Sequence, residues 1–294
     1  MTRLILMLAC LLAALPVRAQ SPTGAAAFRS ERILVETRGQ GPDVVLIPGL
    51  ASTSTLWRRT ADRLADRYRV HLVTVRGFGP TDPGANASGA LSGPVTVELE
   101  RYMVQAGLER PALIGHSLGG QIALRAAADQ GRRVGRVMVV DAAPFFPSLI
   151  RSDARPGDVE SLARIVYSTL LLLGDDALKA QVQALGVDLG GASGAIFGTL
   201  GWQGGDRRVL AQGLYEVMTV DLRGRLADVA APVTVVYGWS ADDMNPRAQV
   251  DALFRAGYRG LRTPARFERI EGAEHMVMID RPDAFQAAVE RFLR

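Results

Sequence analysis

The sequence predicts an α/β protein in which a mostly parallel, doubly wound sheet carries an inserted helical cap. Three observations lead there. Short apolar runs alternate with amphipathic helical stretches over residues 32–141 and again from Pro232 onward. The alternation breaks after Pro144, and residues 145–228 show helical periodicity with no clear strand. Residues 112–120 (ALIGHSLGG) read as a buried strand, a tight turn carrying Ser117, and the start of a helix.

Taken in order, residues 32–38 (RILVETR) alternate like an edge strand. Gly39-Gln40-Gly41-Pro42 then turns the chain into residues 43–47 (DVVLI), a short buried strand. Pro48-Gly49-Leu50-Ala51 leaves that strand, and Ser54 and Thr55 can cap a helix holding Leu56, Trp57 and Leu64. Residues 68–75 form the next strand, which ends at Arg76-Gly77-Phe78-Gly79. A Gly/Pro/Asn loop over 80–94 leads to a helix over 95–106. Leu113 and Ile114 lie in the strand before Ser117, residues 117–129 form an amphipathic helix, and 134–141 a further buried strand. Apolar strands between helices imply a sheet covered on both faces.

In the cap, Leu162, Ile165, Val166, Thr169, Leu170 and Leu173 mark one helix, and Leu210, Leu214, Val217 and Met218 another, with a Gly-rich piece at 186–205 between them. Residues 232–238 (PVTVVYG), a helix near Pro246, a strand at 266–270 and a helix from Pro282 complete the core. The expected organisation is a first core part over 20–144, a cap over 145–228 and a second core part over 229–294.

Residues 1–19 read differently. Arg3 precedes an apolar run over 4–15, and Val17-Arg18-Ala19 is a small-x-small cleavage site, so an exported protein, periplasmic or secreted, is expected. The run is too short to span a bilayer comfortably, so no stable membrane anchor is expected. Cys10, the single cysteine, lies inside it; cleavage after Ala19 leaves neither a thiol enzyme nor a Cys-ligated metal site. The net charge of +4 comes almost wholly from arginines spread among acids. With no basic run, that is a solvated surface and not a nucleic-acid footprint.

The chemistry centres on Ser117. Glycines two before and two after it give G-x-S-x-G, in which a sharp strand-to-helix turn exposes a strained serine. Side chains at Gly115 and Gly119 would collide where strand and helix meet. A serine hydroxyl needs a base, and the chain offers three histidines. His71 falls within a strand and His116 is directed away from the Ser117 hydroxyl. His275 follows the last strand and a glycine turn, where open α/β sheets place their active groups. His275 is therefore the expected general base. The orienting carboxylate should follow a strand between serine and histidine, and Asp242 and Asp243 are both candidates. For the oxyanion, the Leu118 amide at the head of the helix is one donor, and the Leu50 amide, freed by Gly49, the other, with Ala51 as its alternative.

Together PGL at 48–50, RGFG at 76–79, GHSLGG at 115–120, the YGWSADD loop and EGAEHM resemble the α/β-hydrolase superfamily over nearly the whole length after residue 19. The resemblance implies the order Ser, Asp, His. The usual spacing from acid to proline in the acid loop, here to Pro246, favours Asp242 over Asp243. It also marks departures. Pro48 stands where the family usually has histidine, Thr74 stands where an aspartate is common, and the acid loop is about one residue longer. A serine at the elbow sets the chain apart from haloalkane dehalogenases and epoxide hydrolases, which use aspartate there. Acyl transfer to water remains.

The apolar cap suggests a small-molecule ester with an apolar acyl or alcohol group. Asp175, Asp176 and Asp188 are the cap acids an aminopeptidase would need, and Trp202, Trp239, Met276 and Met278 are pocket or core candidates. No metal cluster or phosphate loop is visible, so neither metal nor cofactor is expected. The expectation is an exported serine esterase acting through an acyl-enzyme. The alternatives are an amidase or aminopeptidase on the same triad, or a ligand-binding protein with a vestigial one.

Overall fold

A computed structural model describes residues 28–184, 203–243 and 245–294, without the side chains of 173–184. The expected export segment, Cys10, Asp188, Trp202, most of the Gly-rich piece and the side chains of Asp175 and Asp176 lie outside the described residues.

Seven strands form one sheet: β1 (Ile33–Arg38), β2 (Asp43–Ile47), β3 (Arg69–Val75), β4 (Ala112–His116), β5 (Arg136–Val140), β6 (Val233–Trp239) and β7 (Arg266–Glu271). Their spatial order is β1-β3-β2-β4-β5-β6-β7. Only β1 runs antiparallel, pairing Ile33 with Val75 and Arg38 with Val70. The other pairs are parallel, with Ile47 beside Gly115 and His116 beside Val140. This is the α/β architecture the sequence predicts. The order reverses between β2 and β4, so the chain leaving each of them diverges and opens a crevice at the carboxyl ends.

Both faces of the sheet are buried, and side chains alternate between them with period two. Val45, Ile47, Leu113, Val137, Val139 and Val235 face one cluster with α2 (Ser92–Gln105), α3 (Leu118–Gln130) and α6 (Arg247–Gly257). Val44, Leu46, Ile114, Met138 and Val140 face the other with α1 (Arg58–Leu64) and α8 (Pro282–Leu293), where Trp57 packs on Phe285. Fully burying one such aliphatic side chain stabilises by about 1.5–3 kcal/mol.

Between β5 and β6 lie α4 (Pro156–Ala184) and α5 (Arg207–Thr219). They pack together through Tyr167 against Tyr215, whose hydroxyl donates to Glu160 Oε1 at 2.7 Å. The two ends of this insertion meet: Leu222 N–H donates to Pro144 O at 2.9 Å. The segment before α5 is joined to the core by backbone bonds, from Gln203 N–H to Ala51 O (2.8 Å), Gly79 N–H to Gly204 O (2.9 Å) and Asp206 N–H to Gly77 O (2.8 Å). A side chain from α5 also closes a core helix. Leu91, which precedes α2, has no capping side chain; the buried Glu216 accepts instead from Leu91 N–H (2.6 Å), Ser92 N–H (2.7 Å) and Ser92 Oγ–H (2.5 Å).

Candidate active site

At the end of β4 the chain reverses through Ser117, whose φ of 52° and ψ of −124° lie outside the ordinary regions for a residue with a side chain. The flanking glycines are sterically required. A Cβ on Gly115 would lie 2.1 Å from Gly119 O, and one on Gly119 would lie 2.3 Å from Ile47 O. On Gly120 it would meet Ala142 Cβ at 2.8 Å. Ser117 itself is 8% exposed. The Leu118 N–H begins α3, where no intrahelical acceptor exists for it.

Across the crevice, Gly49 to Ser52 make a tight turn closed by Ser52 N–H to Gly49 O at 3.3 Å, with Ala51 at φ 57°. Gly49 comes so close to the elbow that a Cβ there would lie 2.9 Å from both Ser117 Cβ and His116 Nδ1. This brings Gly49, at the head of the turn that carries the Leu50 and Ala51 amides, up against Ser117. The Leu50 side chain packs under the cap at Gly213. Thr74, which replaces the family's aspartate, supplies an acceptor to this region: its Oγ1 takes the Ser54 N–H at 2.9 Å.

His275 lies in the loop between β7 and α7 (Val277–Asp280), 21% exposed at its side chain. Its Nδ1 faces a carboxylate at 2.7 Å, and that carboxylate belongs to Asp141. The structure pairs His275 with Asp141 and not with Asp242, the expected orienting acid. Asp242 and Asp243 are exposed beyond β6 and turn into their own loop. Asp242 N–H donates to Ser240 Oγ (3.2 Å), and Asp243 Oδ1 accepts from Asn245 N–H (2.9 Å). Asp141 directly follows β5 with φ 43°, and its other oxygen takes the Gly238 N–H at 3.1 Å. Both carboxylate oxygens are thus engaged. An Nδ1–H given to Asp141 leaves Nε2 of His275 as a free base.

The other two histidines have separate surroundings. His71 is buried between Asp43 (2.9 Å from Nε2) and the Tyr102 hydroxyl (2.6 Å from Nδ1), at the far end of the sheet. His116 is 1% exposed, and its Nε2 lies 3.0 Å from the main-chain oxygen of His275. Met276 and Met278 are buried in the core. Trp239 is half-buried, its Nε1–H donating to Asn245 O at 3.1 Å. Among the described residues no group of His, Cys, Asp and Glu is arranged to hold a metal ion, and no helix is long and apolar enough to cross a membrane.

A strained serine at the sheet's switch point, next in sequence to His116, whose ring lies 4.6 Å from that of a carboxylate-paired His275, defines the class of serine hydrolases on a doubly wound sheet. The model of the alpha/beta hydrolase family matches residues 44–288, and the chain belongs to that family. It is similar to a pimeloyl-[acyl-carrier protein] methyl ester esterase of Nitrosospira multiformis, 26% identical over 273 residues that cover 89% of this chain and 98% of that one. The protein of the same description from Edwardsiella ictaluri is 30% identical over 260 residues, covering 85% and 92%. Among solved structures, the fold is similar to that of an enol-lactonase from Burkholderia xenovorans, with a TM-score of 0.66, 21% identity and 89% and 96% of the two chains covered. An esterase from Exiguobacterium antarcticum aligns with a TM-score of 0.68 at 20% identity, covering 89% and 95%.

Proposed function

We propose that this enzyme hydrolyses carboxylic esters through an acyl-enzyme on Ser117. The single observation that carries this is the 2.7 Å bond from His275 Nδ1 to Asp141, whose imidazole partner lies 4.6 Å from the ring of His116, the neighbour in sequence of a serine held at φ 52°. Asp141 fixes the imidazole tautomer and stabilises the imidazolium. His275 Nε2 takes the Ser117 proton as the hydroxyl attacks the ester carbonyl. The amides of Leu118 and Leu50, with Ala51 as the alternative to the latter, hold the oxyanion. His275 then returns its proton to the departing alkoxide. Water, deprotonated by the same imidazole, attacks the acyl-enzyme and releases the acid. The names of the relatives, which cleave the methyl ester of a pimeloyl group carried on an acyl-carrier protein, support an apolar acyl chain and a small alcohol.

Turnover of p-nitrophenyl esters of increasing acyl length tests this. Ser117→Ala should abolish turnover. Asp141→Asn should lower kcat about a thousandfold or more, since it leaves the tautomer unfixed. Asp242→Asn should stay within about twofold of wild type, as an exposed loop acid should. A collapse with Asp242→Asn and none with Asp141→Asn would return the role to the β6 loop. Wild type inert on every ester, yet active on aminoacyl amides, would make it an amidase.

Export belongs to the same proposal. Its support is the pattern of residues 1–19, a positive start, an apolar run and a small-residue site. The mature protein should begin at Gln20 when recovered from the periplasm or medium. Edman sequencing that finds Thr2 or Met1 on cell-retained protein would overturn it.

A further inference from the structure

We infer that His116 is a positioning residue that ties the nucleophile elbow to the histidine loop and to the oxyanion turn. The inference rests on the reading of His275 as the base. Its starting point is a buried polar atom with nothing to bind. His116 is 1% exposed, and its Nδ1 has no hydrogen-bond partner among the described residues. Such an atom carries a desolvation cost that an aliphatic side chain of similar size would avoid. Stability alone therefore does not account for an imidazole here, and what the ring does with its other nitrogen has to.

That nitrogen, Nε2, lies 3.0 Å from the carbonyl oxygen of His275. A carbonyl can only accept, so Nε2 carries the proton and donates, and Nδ1 keeps a lone pair. Burial first, and then the neighbouring His275, push the His116 pKa well below the ordinary histidine value, so the ring stays neutral in this form. The rings of His116 and His275 lie 4.6 Å apart, tilted by 50°. The bond is therefore made to the main chain of the base itself, immediately beside the ring that must face Ser117.

The Nδ1–Cε1 edge of the ring faces the turn at Gly49. A Cβ on Gly49 would lie 2.9 Å from Nδ1 and 3.3 Å from Cε1. Gly49 thus leaves no room for a side chain against the imidazole, and Nδ1 is closed off from solvent without a partner. One side chain, adjacent in sequence to the nucleophile, holds a fixed distance to two loops that come from different strands. Small errors in these distances are costly to catalysis, since misplacement of a reacting group by about 1 Å lowers rates by about a hundredfold.

Three variants and one control decide it, each read as kcat and KM on a p-nitrophenyl ester. His116→Leu fills the space without a donor. It should lower kcat by at least about tenfold while KM stays within about threefold, the split expected when ground-state binding is untouched. His116→Gln places its amide nitrogen where Nε2 was and should recover kcat to within about threefold. His116→Asn, too short to reach the His275 oxygen, should behave like His116→Leu, and serves if that variant does not fold. The downfield proton signal of the His275 Nδ1–H should be kept in His116→Gln and shifted or broadened in the other two. Wild-type kcat in His116→Leu or His116→Asn, or equal loss in His116→Gln and His116→Leu, would overturn the inference. His275→Gln is the control: if it is inactive while His116→Leu is normal, only the positioning role falls. If His275→Gln retains activity, the base assignment falls and takes this inference with it.

Discussion

Gly49 shows how little freedom single positions have around this site. Its missing side chain is the space that lets the turn over 49–52 come up to both His116 and Ser117. Gly49→Ala should lower kcat at least about tenfold with a well-folded protein, because the turn must retreat by a few tenths of an ångström from atoms that cannot yield. Ester kinetics alongside a thermal melt would check it; unchanged kcat would mean that the turn's distance is not critical. At this scale the steric pattern of the elbow was legible beforehand. Ser117 and its glycines carry a steric pattern written in five residues, and His275 was reached by elimination among three histidines. Asp141, which the structure pairs with His275, was not singled out although it too is a carboxylate directly after a buried strand between serine and histidine. The YGWSADD loop, with two aspartates and a familiar spacing to Pro246, drew the assignment away. What the sequence does not display is direction: the positive φ of Asp141 turns its carboxylate toward the histidine loop, and no neighbouring residue type announces that.

The elements are held by caps and sutures more than by their own propensities. Helix α2 begins without a capping residue of its own, and the carboxylate of Glu216 on α5 closes its first turn from outside. Glu216→Ala should therefore destabilise by about 3 kcal/mol, since it strips the acceptor from two buried N–H groups and a hydroxyl. Urea unfolding measures this directly. A change below about 1 kcal/mol would show that water replaces the carboxylate and that the cap is only loosely held. The sequence placed the start of α2 three residues late because Ser92-Gly93-Pro94 continues a Gly/Pro-rich loop, and the acceptor that closes the first turn, Glu216, comes from a distant helix. Helical periodicity did mark both cap helices, but their seat on the core was hidden. Gln203, whose side-chain amide bridges the Thr53 and Thr55 hydroxyls, contacts residues about 150 positions away.

For the molecule as a whole, both buried histidines set a pH limit. Burial lowers the pKa of His71, against the opposing pull of Asp43, and burial also lowers that of His116. A lowered folded-state value means that the unfolded chain binds the proton first. Stability is then complete above the ordinary histidine value, about 6.5, and is lost as pH falls below it toward the folded-state values. Melting should occur at a lower temperature at pH 5.5 than at pH 7.5, and His71→Gln should flatten part of that dependence. A melting temperature that rises on acidification would contradict the sign. The architecture itself was the most legible level, because strands buried on both faces and the break after Pro144 are compositional facts. The insertion has one further property. Its ends are joined by the bond from Leu222 N–H to Pro144 O, so some eighty residues depart from and return to the core at a single doorway. Such a segment can be exchanged as a module without rethreading the sheet. Any replacement has only to present a strand for Gly77 and Gly79, a donor for Ala51 and a carboxylate for the start of α2. Trading this module would leave the sheet and the elbow beneath it in place.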